Sequence, residues 1–302
     1  MIKVFIFICF SVSSYLRYIL HDILRINESS DLNQIYRNLS ASKWEVESLS
    51  SFIYNPSDVV YFLLYHLSGF VNEHVNGLLL VSLVILWFYF RFFFQFVRAT
   101  YANIFSFFLI ANSSFVSIFQ LAQFRSAIAC TMLLALFSYR HKLKSVLTGL
   151  FVSYIHLAFV PILINLALIR LLNIKNKIYI VVALILTSVL FLIFQYTYMH
   201  QNLETYIGYS NFFLLAAFTV FFILFVFSLH NYQPLMYAIS IYSFLALISV
   251  IVLGLPNTRY FIFLLYVSPF ILTSQTSVSR SYLYMIFAFA VFVFSWGKFL
   301  LL

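Results

Sequence analysis

Three basic side chains stand in or beside apolar runs where lipid would tolerate little charge. They are Arg125 in "AQFRSAIAC" (122–130), His156 in "SYIHLAFVP" (153–161) and Arg259 in "GLPNTRYF" (254–261). A guanidinium presents a planar fork of donors that matches phosphate oxygens two at a time. An imidazole titrates near neutral pH and can take a proton from a hydroxyl. Together they suit a reaction at a phosphorylated substrate. Each also has a plainer reading. Arg125 can snorkel to headgroups, His156 can be a hydrogen-bonded packing residue, and Arg259 can anchor a helix end at the interface. What is missing narrows the chemistry further. No apolar span holds an Asp or Glu, which a proton-coupled pump usually needs. There is no HExxH, GxSxG or Walker sequence. Cys9 and Cys130 lie inside apolar segments and form neither a disulfide nor a metal-binding pattern.

The elements that must position these residues are membrane helices. Of 302 residues, 64% are hydrophobic and 8% charged, against about 25% charged in soluble domains. Mean hydropathy is +1.02. Aromatic residues reach 21%, a load that lipid-facing and interfacial surfaces absorb. The net charge of +9 comes from basic residues that punctuate apolar runs, as in cytoplasmic loops, so no nucleic-acid partner is expected. The expected fold is all-α: one polytopic integral membrane domain over 1–302. Apolar runs predict spans at about 2–20, 76–97, 101–119, 121–139, 176–197, 211–229, 235–254, 259–275 and 281–301. The first, "MIKVFIFICFSVSSYLRYIL", lacks a small-x-small cleavage site and contains Arg17, which predicts an uncleaved helix with a cytoplasmic N-terminus.

Topology turns on 143–173. Read as two short helices breaking between His156 and Pro161, it returns Arg170, Lys175 and Lys177 to the cytoplasm, beside Arg98, Arg140, Lys142, Lys144 and Arg280. The alternative, a single helix, leaves that basic cluster outside. The two-helix reading gives about 10–11 crossings in all. Nearly every carboxylate falls in 21–58, within an extracytoplasmic loop, 21–75, expected to form short surface helices. The piece 57–71 reads as interfacial or re-entrant.

In this topology Arg125 lies near the outer end of its helix, and Ala122, Ser126 and Ala129 provide a small-residue face for close packing. At mid-bilayer its charge would cost ~2.5–3.5 kcal/mol by insertion scales. The outward-facing chemistry is then cationic and histidine-bearing, beneath a loop rich in acids and aromatics. That set suits a lipid-borne phosphate carrying a sugar.

The stretch "FRSAIACTMLLALFSYRHKLKSVLTGLFVSYIHLAFVPIL" (124–163) resembles the central block of the EpsG family of Wzy-like exopolysaccharide polymerases. Arg125 and Ala129, the Arg140–Lys144 turn and His156 match that block in order and spacing. "DLNQIYRNL" and "NPSDVVYFLLYHL" resemble the family's first outer loop, with Asp31, Tyr36 and Pro56 as the matching positions. Ser126 stands where the family often has Gln, and Asn55 where it often has Glu.

The resemblance implies a fold of the GT-C-like kind in a bacterial inner membrane, with the active site facing outside. It implies a glycosyltransferase that moves a polyprenyl-diphosphate-linked glycan, with inversion, onto another such chain. The product would be capsule, O-antigen or another exopolysaccharide, and the partners would include a flippase and a chain-length regulator. Arg125, with Arg259, would hold the diphosphate and stabilise its developing charge without a metal or other cofactor. His156, or an outer acid such as Asp58 or Glu204, would take the acceptor proton. Tyr36, Arg37, Asp31 and Gln123 complete the candidate glycan-binding set. Two other classes use similar residues. A lipid-linked oligosaccharide flippase also needs a cationic cavity, and it usually shows internal repeats, which this sequence lacks. A membrane O-acyltransferase also uses an intramembrane histidine.

Overall fold

A computed structural model describes residues 2–26, 74–96, 100–122, 124–138, 147–152, 265–270 and 278–301, with scattered positions between 163 and 189. Every regular element among the described residues is helical. Six helices carry the description: α1 (Ile2–Ile26), α2 (His74–Phe96), α3 (Tyr101–Ala111), α4 (Ser114–Ala122), α5 (Phe124–Ser138) and α6 (Val278–Leu301). By contact the chain divides into two compact units. One holds Met1–Leu157 with Met285–Leu302, and the other Ala158–Tyr284.

The first unit contains α1 to α5 and most of α6. α1 packs on α2, α3 and α4, while α2 also meets α4 and α5. The α2–α3 contact is aromatic. Phe93 stacks on Phe107 with ring centroids 4.0 Å apart, and Tyr89 and Phe90 flank the same ring at 4.9 and 4.8 Å. All four rings are buried. Rings that large supply contact area and fixed geometry to the helix pair.

α1 shows its polarity inside out. Val4, Phe7, Ile8, Val12, Tyr15, Ile19 and Ile23 are exposed, with Phe7 at 69%. Ser13, Arg17 and His21 are buried on the opposite face, at four-residue spacing, with Arg17 at 0% and His21 at 1%. A helix in water puts its polar stripe outward. This one puts apolar groups outward and polar ones inward. Its residues Ile2–Ile23 are long and apolar enough to cross a bilayer. α3 and α4 pass the same test only together, as a pair bent by 58°.

Several element bounds differ from the sequence expectation. α1 runs six residues beyond the expected 2–20, because the Arg17–His21 stripe continues its buried face past Leu20. The expected span 101–119 is interrupted at Asn112–Ser113. The helix carrying Arg125 starts at Phe124, three residues after the expected 121, so Arg125 lies in its first turn. Of the expected small-residue face, Ser126 and Ala129 are buried, and the side chain of Ala122 lies outside those described. Of the hairpin expected over 143–173, residues 147–152 are helical. Its tip at His156 to Pro161 and most of the loop 21–75, including 57–71, lie outside the described residues.

In the second unit, residues 265–270 are helical and buried. Ser268 Oγ donates to the Leu265 carbonyl at 2.8 Å and shares a hydrogen bond with the Tyr284 hydroxyl at 3.1 Å.

Candidate functional site

The densest polar constellation among the described residues surrounds the α3–α4 elbow. Its local cause is the sequence "ANSSF" (111–115), three cap-forming residues in an otherwise apolar run. α3 starts on Thr100, whose side chain accepts from the Asn103 N–H at 3.2 Å, and ends on Asn112. The Asn112 carboxamide folds back so that Nδ2 donates to the Phe108 carbonyl at 2.7 Å. Ser113 serves both helices. Its hydroxyl donates to the Ile110 carbonyl at 2.7 Å and accepts from the Val116 N–H at 3.4 Å, making it the N-cap of α4.

Two other helices close the elbow. From α1, the Arg17 guanidinium donates to the carbonyl of Ala111, the last residue of α3, at 2.7 Å. It also donates to Asn112 Oδ1 at 3.1 Å and to the Ser13 carbonyl at 3.2 Å. Its Nε and Nη2 both reach Gln120 Oε1 on α4, at 2.9 and 2.6 Å. Ser13 Oγ accepts from Asn112 Nδ2 at 2.8 Å and donates to the Cys9 carbonyl at 2.7 Å. From α6, Ser295 Oγ accepts from the Ser114 N–H at 3.0 Å, and the Ser114 hydroxyl donates to the Ser295 carbonyl at 2.7 Å. The Trp296 indole N–H donates to the Asn112 carbonyl at 2.9 Å.

This geometry answers the main cost of breaking a helix in a dry interior. Helix ends leave unpaired N–H and C=O groups, each expensive without water. Here the last carbonyl of α3 meets a cation, the sign favoured at a helix C-terminus. The first N–H of α4 meets a serine oxygen. Arg17 has five N–H donors, and all five are directed at protein oxygens. It therefore has no donor left over for a substrate, and its chemistry is that of a structural cation.

Sequence reasoning used Arg17 only as an argument against cleavage and passed over Gln120 and Asn112. The signal was present: Ser13, Arg17 and His21 share one face of a helix that is otherwise apolar. Of the expected site residues, the structure describes the backbone of Arg125, in the first turn of α5. His156, Arg259, Asp31, Tyr36, Arg37, Asp58, Gln123 and Glu204 lie outside the described residues.

No family model matches this chain, and neither the curated proteins nor the solved structures yield a match.

Proposed function

We propose that this chain is a polytopic helical protein of a bacterial inner membrane that polymerises polyprenyl-diphosphate-linked glycan units on the extracytoplasmic face. What carries the reading is the block 124–163, with Arg125, the Arg140–Lys144 turn and His156 in the order and spacing of EpsG and Wzy-like polymerases. The inverted polarity of α1, apolar outside and polar inside, supports the membrane part.

In the proposed reaction an acceptor sugar hydroxyl attacks the anomeric carbon of the donor glycan. The bond to the polyprenyl diphosphate breaks, and the configuration inverts. The leaving diphosphate gains charge as the bond stretches, and fixed guanidinium groups at Arg125 and Arg259 meet it without reorganising. In the first turn of α5, Arg125 has N-terminal peptide dipoles beside it, the helix end that favours anions. The acceptor proton passes to His156, or to an outer carboxylate, Asp58 or Glu204. Asp31, Tyr36, Arg37 and Gln123 engage the glycan.

A flippase is the competing reading, and the α3–α4 elbow bears on it. Transporters commonly bind cargo at broken helices whose free ends face the cavity. Here both ends of the break are taken by Arg17 and Ser295, which favours a fixed scaffold over a cargo site. Deleting the gene tests the choice. A polymerase deletion leaves single repeat units on the cell surface, whereas loss of all surface glycan would identify a flippase and overturn the proposal.

A further inference from the structure

We infer that Arg17 is a positioning residue for the proposed polymerase: by holding the α3–α4 elbow and Gln120, it sets the path by which the chain enters α5. The inference rests on the polymerase reading, because it assigns Arg17 to the placement of Arg125. The two positions belong to one compact unit. Gln120 is in the last turn of α4, five residues before Arg125, and Arg17 holds its carboxamide oxygen with two donors. The same guanidinium grips Ala111 and Asn112 at the other end of α4. A single guanidinium thus ties the elbow residues Ala111 and Asn112, and the Gln120 side chain in the last turn of α4, to α1.

The consequence is kinetic. A cation that stabilises a leaving diphosphate must sit within a fraction of an ångström of its working place. A displacement of about 1 Å costs roughly 100-fold in rate. A loosened elbow leaves the glycan's other contacts in place and spoils this one, so the loss should fall on kcat more than on KM. Lysine at position 17 keeps the charge but cannot reach Gln120, Asn112 and Ala111 together.

The test uses the full chain in lipid nanodiscs and has two arms. The first reads the elbow without reference to activity. In a background with Cys9→Ala and Cys130→Ala, Ser114→Cys and Ser295→Cys form a reporter pair, since the two residues are in mutual hydrogen-bond contact. Oxidation should close this disulfide quickly with Arg17 present and several-fold more slowly with Arg17→Lys. The second arm measures polymerisation of a lipid-diphosphate glycan by protein with its native serines and cysteines. Arg17→Lys should reach normal membrane levels and lose roughly tenfold or more in kcat, with KM within about twofold. Arg17→Lys combined with Gln120→Glu, which restores a charged link between α1 and α4, should recover part of that loss. Normal kcat in an Arg17→Lys protein whose disulfide forms slowly overturns the positioning role. Lost kcat with an unchanged disulfide rate overturns it as well, because Arg17 would then act by another route. Wild-type protein without polymerising activity removes the polymerase reading itself, while the disulfide arm still decides whether Arg17 holds the elbow.

Discussion

Arg17 and Arg125 carry the same guanidinium, but only Arg17, whose side chain is among those described, is seen joining helices. Arg17 directs all five donors at protein oxygens, so a change that strands those groups without a substitute cation or acceptor should lower stability. Gln120→Met leaves two of those donors facing a thioether in a dry interior, at a cost of roughly 1.5–3 kcal/mol. The protein should unfold at a clearly lower temperature in detergent. Arg17→Met combined with Gln120→Met should cost less than the sum of the singles, since each partner's loss strands the other. An unchanged unfolding temperature for Gln120→Met would show that the guanidinium does not depend on it. Arg125 should behave differently. Arg125→Lys keeps a charge that snorkels equally well, so insertion and protein level should be normal, yet most polymer should be lost. Full-length polymer at normal protein level would make Arg125 an anchor. Sequence reasoning reached Arg125 because it interrupts an apolar run beside small residues. Arg17 was equally visible, but its position in the first helix invited comparison with a signal segment.

At the scale of elements, the break between α3 and α4 was written in "ANSSF" and overlooked, because the apolar residues on both sides sustain one hydrophobic average. Caps act locally and averages do not see them. What no local pattern could supply is the partnership. Arg17 lies 94 residues from Ala111, and Ser295 lies 181 residues from Ser114. These contacts predict that α1 remains part of the working protein. An epitope placed before Met1 should stay joined to the chain in membranes. Its release, together with a shortened functional protein, would contradict the role given to Arg17. The hairpin expected over 143–173 has its own measurement. Single cysteines at Ser145, Ala158 and Asn173 should react with an impermeant thiol reagent in whole cells only at Ala158. Labelling at Asn173 without Ala158 would make the segment one helix and separate His156 from Arg125.

For the whole molecule, the distribution of polarity matters more than any single motif. α1 presents Phe7, Ile8 and Tyr15 outward and Ser13, Arg17 and His21 inward, the arrangement a lipid solvent selects. Composition made the helical fold legible, and the proportion of apolar residues led to the expectation of membrane spans, of which Ile2–Ile23 is one candidate among the described residues. The assembly of the site was not legible in the same way, because Arg125, His156 and Arg259 come from distant parts of the chain and only their types speak for a phosphate. The central claim is that fixed arginines, without a metal ion, neutralise the leaving diphosphate as glycan units are joined. Mg²⁺ or Mn²⁺ would need hard oxygen ligands, and the one carboxylate in the candidate span Ile2–Ile23 is Asp22, exposed near its end. The most direct measurement incubates the purified protein with a polyprenyl-diphosphate-linked repeat unit in excess EDTA and follows product length. A ladder of lengthening glycans at nearly the rate seen with Mg²⁺ is the predicted result. No ladder in EDTA, with activity restored by Mg²⁺, would contradict the account and return the outer-loop carboxylates to the role of metal ligands.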